Sequence, residues 1–161
     1  MLDQWVFEFQ VKPLWGQSSW RSLINIGPNP HARWPGVYFH PGEMRMQVSY
    51  KTYQGQPAIN LDQTSPMAQY NWYSVRITMI NHIMRFYVSN TNVQSGAYIL
   101  QGQTPLITNG PSGTSDPPWG FMNYHFLYMC TPNVFGNGHL QRCANAEVRR
   151  VSYTTLPSPP P

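Results

Sequence analysis

The side chains able to do chemistry in this 161-residue chain are few and widely spaced. The five histidines, His31, His40, His82, His125 and His139, fall into no H-E-x-x-H arrangement, and the cysteines form no C-x-x-C. Zinc sites built from one segment need such spacings, so the histidines read as structural or exposed groups. No G-x-S-x-G marks a nucleophilic serine, and no glycine-rich loop of nucleotide-binding type follows a strand. The sequence therefore predicts no catalytic centre. What remains is a set of aromatic residues in loops with polar neighbours. Trp34 stands beside His31 and Arg33, Tyr53 opens a polar stretch that contains Asn60 and Asp62, and Trp119 follows the turn-rich NGPSGTSDPP segment. Sugar rings present C–H faces that stack on such rings while nearby amides, carboxylates and guanidiniums read the hydroxyls, and functional groups concentrate in loops. His31, Arg33, Trp34, Tyr53, Asn60, Asp62 and Trp119 are the candidate ligand-binding residues. The competing role for each tryptophan is to staple its loop onto the body of the domain.

Those loops need a scaffold, and the composition defines its class. Charged residues are only 10% of the chain, aromatics 14%, and there are twelve glycines and sixteen prolines. This disfavours a helical domain and favours an all-β domain with many turns. At this length one domain can bury a substantial core. The ten cations give a formal net charge of +4, but only Arg149 and Arg150 are adjacent. Most of the others sit singly at alternating strand positions, the pattern of a solvated outer face. Nucleic-acid binders cluster their basic residues, so a nucleic acid is not expected as partner. An acidic or sulfated polysaccharide would also meet these arginines.

Cys130 and Cys143 flank a segment rich in Gly and Asn. Outside a reducing cytosol they are expected to form a disulfide, worth about 3 kcal/mol for a loop of this length. Inside one they would be two buried thiols. No apolar run approaches the ~18 residues of a membrane span. No secretory leader opens the chain: Met1 to Trp5 runs directly into a strand pattern. Either the protein is made without one, or these residues are a domain of a longer chain. No N-glycosylation sequon occurs.

Hydrophobic alternation predicts the elements. Trp5, Phe7, Phe9 and Val11 make one apolar face of a strand that Pro13 ends. Leu14 to Arg21 reads as a connection, Ser22 to Ile26 as a second strand, and Val37 to His40 as a third that stops at Pro41-Gly42. Met44, Met46, Val48 and Tyr50 alternate with polar residues in a fourth, before a polar stretch from Tyr53 to Gln69. Tyr73 to Met79 and Ile83 to Val88 around Asn81-His82 form a hairpin. Short strands follow at Ala97 to Leu100 and at Leu106-Ile107, and a longer one at Phe121 to Met129. Ala146 to Tyr153 forms the last, with a bulge at Arg149-Arg150 where the apolar parity shifts. Trp5, Phe7, Phe9, Trp72, Phe86 and Tyr124 are assigned to the core. Residues 1–155 are then a two-sheet antiparallel sandwich, and 156–161 a proline-rich tail or linker that does not pair.

The order FEFQVKP, SLINIG, PGVYFHPGEMRMQVSY, NWYSVRITMINHIMRFYVSN resembles the concanavalin A-like lectin/glucanase superfamily and its laminin-G-like members. The "K-P" that ends the first strand, Trp72 before the alternating strand and the Tyr87-Val88-Ser89-Asn90 end of the hairpin carry the likeness. NAEVRRVSY resembles the closing strand that returns beside the first. The resemblance covers most of residues 4–100 and 144–155. It implies a jelly-roll sandwich and, in many members, a glycan or glycoprotein ligand. The family's glycosidases carry closely spaced acids such as E-x-D-x-x-E, because retaining hydrolysis needs two carboxyls about 5 Å apart. Here Asp3, Glu8, Glu43, Asp62, Asp116 and Glu147 include no two within four residues of each other. Members that bind Ca²⁺ hold it at the sandwich rim. Asn60, Asp62 and Asp116 are the oxygen donors this chain offers, against the six to eight that Ca²⁺ takes. No cofactor is expected. The expectation is a non-catalytic carbohydrate-binding or adhesion module on an extracellular, cell or virion surface. The alternative is a structural subunit packed against neighbours in a capsid, coat, filament or matrix.

Overall fold

The computed structural model describes residues 4–16, 18–27, 35–50, 58–90, 97–105, 107, 126–129 and 142–157. Eleven strands form among them: β1 (Gln4–Pro13), β2 (Arg21–Gly27), β3 (Gly36–Phe39), β4 (Met46–Tyr50), β5 (Ile59–Asp62), β6 (Tyr73–Ile80), β7 (Ile83–Asn90), β8 (Ile99–Gln103), β9 (Phe126–Met129), β10 (Arg142–Cys143) and β11 (Ala146–Leu156). They make two sheets. The first has the order β11-β1-β6-β7-β8. The second runs β10-β2-β3-β4-β5, and β9 also pairs with β2. All pairings are antiparallel except the two-residue contact of β10 with β2. The fold is the expected all-β sandwich.

Strand β1 organises the first sheet. Its burial alternates residue by residue, with Trp5, Phe7, Phe9 and Val11 inward and Val6, Glu8, Gln10 and Lys12 outward. It pairs with β6 on one side and β11 on the other, from Gln4 opposite Leu156 to Pro13 opposite Ala146. The sandwich closes as expected, with the last strand beside the first, and β11 continues to Leu156, the first residue of the expected tail. The expected bulge is present: the register of β1 against β11 shifts between Glu8 and Gln10, and Arg150 takes a φ of +52°. The extra residue restores inward parity, so Val148 and Tyr153 both pack against the core. The β6–β7 hairpin turns on Asn81 and Asn81's neighbour His82 with φ of +48° and +62°, the two positive angles of a type I′ turn.

Facing these, Ile24, Ile26, Val37, Phe39, Met46, Val48 and Leu61 of the second sheet complete one continuous apolar cluster with Val75, Ile77, Met84 and Phe86. The sheets also join along one side, where the Thr64 amide and hydroxyl donate to Gln101 Oε1 at 3.0 and 2.8 Å.

Several expectations are corrected, the first being the unpaired tail, since Leu156 pairs with Gln4. The polar stretch from Tyr53 to Gln69 holds a strand, β5, paired with β4 from Gln47 opposite Asp62 to Tyr50 opposite Ile59. Its outward Asn60 and Asp62 mask it in the sequence. Met44 is buried but precedes β4 rather than opening it. Trp72 is half-buried rather than in the core. Tyr73 points inward at the start of β6, so pleat parity turns its neighbour outward. There the Arg149 guanidinium lies 3.7 Å and Lys12 Nζ 5.3 Å from the Trp72 ring centroid. Tyr124 lies outside the described residues, as does Leu106, and Ile107 is in no strand.

The second sheet buries a polar network as well. The Tyr38 hydroxyl donates to Asn25 Oδ1 at 2.7 Å, and Asn25 Nδ2 donates to Ser22 Oγ at 3.2 Å. A Cβ on Gly36 would sit 2.5 Å from the Tyr38 hydroxyl and 2.6 Å from Asn25 Oδ1. Gly36→Ala should therefore lower stability by about 1–3 kcal/mol through overpacking, as read from the urea midpoint. A variant with wild-type stability would contradict the network's geometry. Burial pushes the Tyr50 phenol far above the ordinary tyrosine range. A phenol raised in the folded state keeps its full contribution below the unfolded value of about 10 and loses it as pH climbs beyond that. Stability should fall above about pH 10, with Tyr50 ionising only as the chain unfolds in absorbance-detected titration. Tyr50→Phe should flatten that fall.

Candidate functional site

At the Pro13 end of β1 a small, partly enclosed groove is lined by Pro13, Trp15, Gly16, Arg21, Phe39, His40, Glu43, Met44 and Asn145. Several elements converge to build it. The β3–β4 connection turns at Pro41-Gly42, where Pro41 presets its own φ and Gly42 takes +74°. The Glu43 amide donates back to the His40 carbonyl at 3.4 Å, and the His40 amide donates to the Arg45 carbonyl at 3.0 Å. Only a residue without a side chain enters that second turn position at no steric cost. The connection after β1 lies against this turn, since a Cβ on Gly16 would meet the Gly42 carbonyl oxygen at 3.5 Å. The Leu14 amide, bonded to the Asn145 carbonyl at 2.9 Å, ties the same connection to the start of β11. Trp15 is thereby held on a fixed backbone and is 53% exposed. A second exposed aromatic, Tyr70, is anchored nearby through its amide, which donates to the Pro13 carbonyl at 2.8 Å.

Polar groups around the groove are held in place. His40 Nε2 lies 2.7 Å from Asp62 Oδ1, which also accepts from Gln47 Nε2 at 3.0 Å. The Trp20 ring packs against the same imidazole, with centroids 4.4 Å apart and planes at 42°. Glu43 Oε2 pairs with Arg45 Nε at 3.0 Å. An exposed indole beside oriented carboxylate, imidazole, guanidinium and amide groups can stack on an apolar ring face and bond its hydroxyls. The two nearest acids are each engaged with a base, and among the described residues no group of three or more His, Cys, Asp or Glu is placed to hold a metal ion.

Of the sequence-derived candidates, Asp62 reaches this site, as the carboxylate behind His40. Asn60 is exposed on β5 opposite Ser49 and does not line the groove. His31, Arg33, Trp34, Tyr53, Trp119, Asp116 and Cys130 lie outside the described residues, and Cys143 is placed as backbone in β10. Sequence reasoning missed Trp15, Trp20 and His40. The first two sit in a stretch read only as a connection, and His40 ends a strand. No signal in the sequence marks them, because the groove forms only where strand ends far apart in the chain meet.

No family model matches the sequence, and no curated protein matches it. Solved structures do match in fold. The chain is similar to the CBM40 module of the Ruminococcus gnavus IT-sialidase bound to alpha2,3 sialyllactose, with TM-score 0.55 and 11% identity over 93% of this chain and 76% of that one. It is similar to the heptameric SAP-like pentraxin from Limulus polyphemus, with TM-score 0.52 and 7% identity over 94% and 64%. The binding domain of botulinum neurotoxin serotype C1 matches with TM-score 0.56 and 8% identity over 94% of this chain and 32% of that domain. These are jelly-roll sandwiches, and the likeness defines the class of this chain by its fold.

Replacing Asp62 by Ala should cost less than about 1 kcal/mol, because the pair is partly solvated. It should nevertheless release the imidazole from its fixed plane. Side-chain NMR would then show His40 ring signals moving as the Trp20 ring-current shift diminishes, and unchanged His40 signals would contradict this positioning.

Proposed function

We propose that this chain is a non-catalytic carbohydrate-binding module of concanavalin A-like type, acting on an extracellular, cell or virion surface. The observation that carries the reading is Trp15: a large ring held half in solvent by a rigid connection, at the lip of a groove that also presents Arg21, His40, Glu43 and Asn145. Burying that ring under a sugar would remove apolar area from water at about 25 cal/mol per Å², and the polar rim would supply orientation. The fold supports the reading because a sandwich with a CBM40 module bound to alpha2,3 sialyllactose among its structural neighbours is a workable platform for a glycan at its rim. The absence of adjacent acids in the sequence supports a binding rather than a hydrolytic role.

A glycan array probed with the wild-type chain and with Trp15→Ala tests this. The wild type should bind a restricted set of glycans, and the variant should lose about tenfold or more in affinity for them with its fold intact by circular dichroism. Equal binding by both, or hydrolysis of the bound glycan, would overturn the reading. A second reading, a structural subunit packed against its neighbours, is favoured by the edge strand β8, where Ile99 is 65% and Leu100 46% exposed. A preparation that binds no glycan and sediments as an ordered assembly would select it.

A further inference from the structure

Apart from the groove, the outer face of the first sheet gathers cations that are scattered in the sequence. The register places Arg149 of β11 beside Gln10 of β1, Arg76 of β6 beside Glu8 of β1 and Tyr87 of β7, and Arg85 of β7 beside Thr78 of β6 and Gln103 of β8. All share the outward parity of β1, as does Lys12 at its end. By sheet geometry Arg149 and Arg76 stand about 12 Å apart and Arg76 and Arg85 about 8 Å apart at Cα, along one diagonal. Four cations share this face with two carboxylates, Glu8 and Glu147, among the described residues.

The guanidiniums are pre-oriented. Arg149 lies 3.7 Å over the Trp72 ring while its Nε donates to Gln10 Oε1 at 2.8 Å. Arg76 lies 4.1 Å over the Tyr98 ring while its Nε donates to Glu8 Oε1 at 2.7 Å. Arg85 Nε donates to Gln103 Oε1 at 3.2 Å. Each is thus held by Nε, and the first two are also fixed in plane by a ring, which lowers the entropy lost when the terminal nitrogens of the fork meet an oxyanion. Glu8 also accepts from the Tyr98 hydroxyl at 3.2 Å, so the Arg76 row is cross-braced.

We propose that this face is a binding track for a sulfated or uronic-acid polysaccharide, with Arg149, Arg76 and Arg85 as successive anion contacts. The carboxylates select that class. Nucleic-acid phosphates would meet Glu8 and Glu147 with no donors to satisfy them. A sulfated or carboxylated glycan also carries hydroxyls that donate to carboxylates. The site is separate from the groove, so Trp15 is not required for it.

The test is titration calorimetry with a size-defined heparin oligosaccharide, at several salt concentrations, on wild type, on Arg76→Gln/Arg149→Gln, and on Arg142→Gln as a charge control on β10 of the second sheet. The wild type should bind with a clear salt dependence. The double variant should lose about tenfold or more in affinity and have a shallower salt slope, while Arg142→Gln changes less than about twofold. Unfolding midpoints establish that each variant is folded, and Arg76→Lys/Arg149→Lys, which keeps charge but not the planar stack, should recover only part of the loss. No heparin binding by the wild type, an equal loss in both charge classes, or tighter binding of an oligo-dT of equal charge would overturn the proposal. Loss of groove binding in Trp15→Ala with heparin affinity retained would keep the two sites distinct, and failure of the groove reading would leave this result standing.

Discussion

The pleat of β1 sets two constraints at once. Its inward residues, Trp5, Phe7, Phe9 and Val11, are at most 3% exposed and pack under both sheets. Its outward residues carry the polar contacts, with Glu8, Gln10 and Lys12 bonded to Arg76, Ser74, Arg149 and Glu147. Because side chains alternate with a period of two, a shift of one residue would expose the aromatics and bury the ions together. The register is therefore specified twice, by apolar burial on one side and by charge pairing on the other. The bulge at Arg150 is the adjustment that lets β11 satisfy both over its full length.

The same strand also places the groove. Where β1 ends, at Pro13, its carbonyl accepts from Tyr70 and the next amide donates to Asn145, so the chain that carries Trp15 leaves the sheet along one path. The turn at Gly42 and the pairing of Asp62 with His40 complete the rim from the second sheet. Rigidity comes from the sandwich, while the exposed groups sit on connections between its strands. That division lets a sheet scaffold present polar and aromatic groups at its rim while its core stays apolar.

Much of this was legible in the residue pattern. Long strands with one apolar face, β1, β6, β7 and β11, declare themselves by alternation, and Asn81-His82 and Pro41-Gly42 declare turns by their conformational preferences. Strand β5 was hidden because four residues with two outward polar side chains resemble a loop. Trp72 was misplaced because hydrophobicity alone does not reveal that pleat parity directs a ring outward under cations. Trp15 could not be read as a site residue, since its value depends on Gly16, Gly42, His40 and Asn145 meeting at one end of the sandwich, and those are separated by up to about 130 positions. The arginines of the first sheet likewise become a row only after strands from both ends of the chain lie side by side.

The most direct measurement is a titration of the chain, carrying ¹⁵N-labelled tryptophan, with a panel of oligosaccharides, followed at the indole N–H resonances. The account predicts that the Trp15 indole moves with saturation and that the Trp5 indole, sealed in the core, does not. Movement of Trp5 with Trp15 silent, or no indole response to any of the panel, would contradict it.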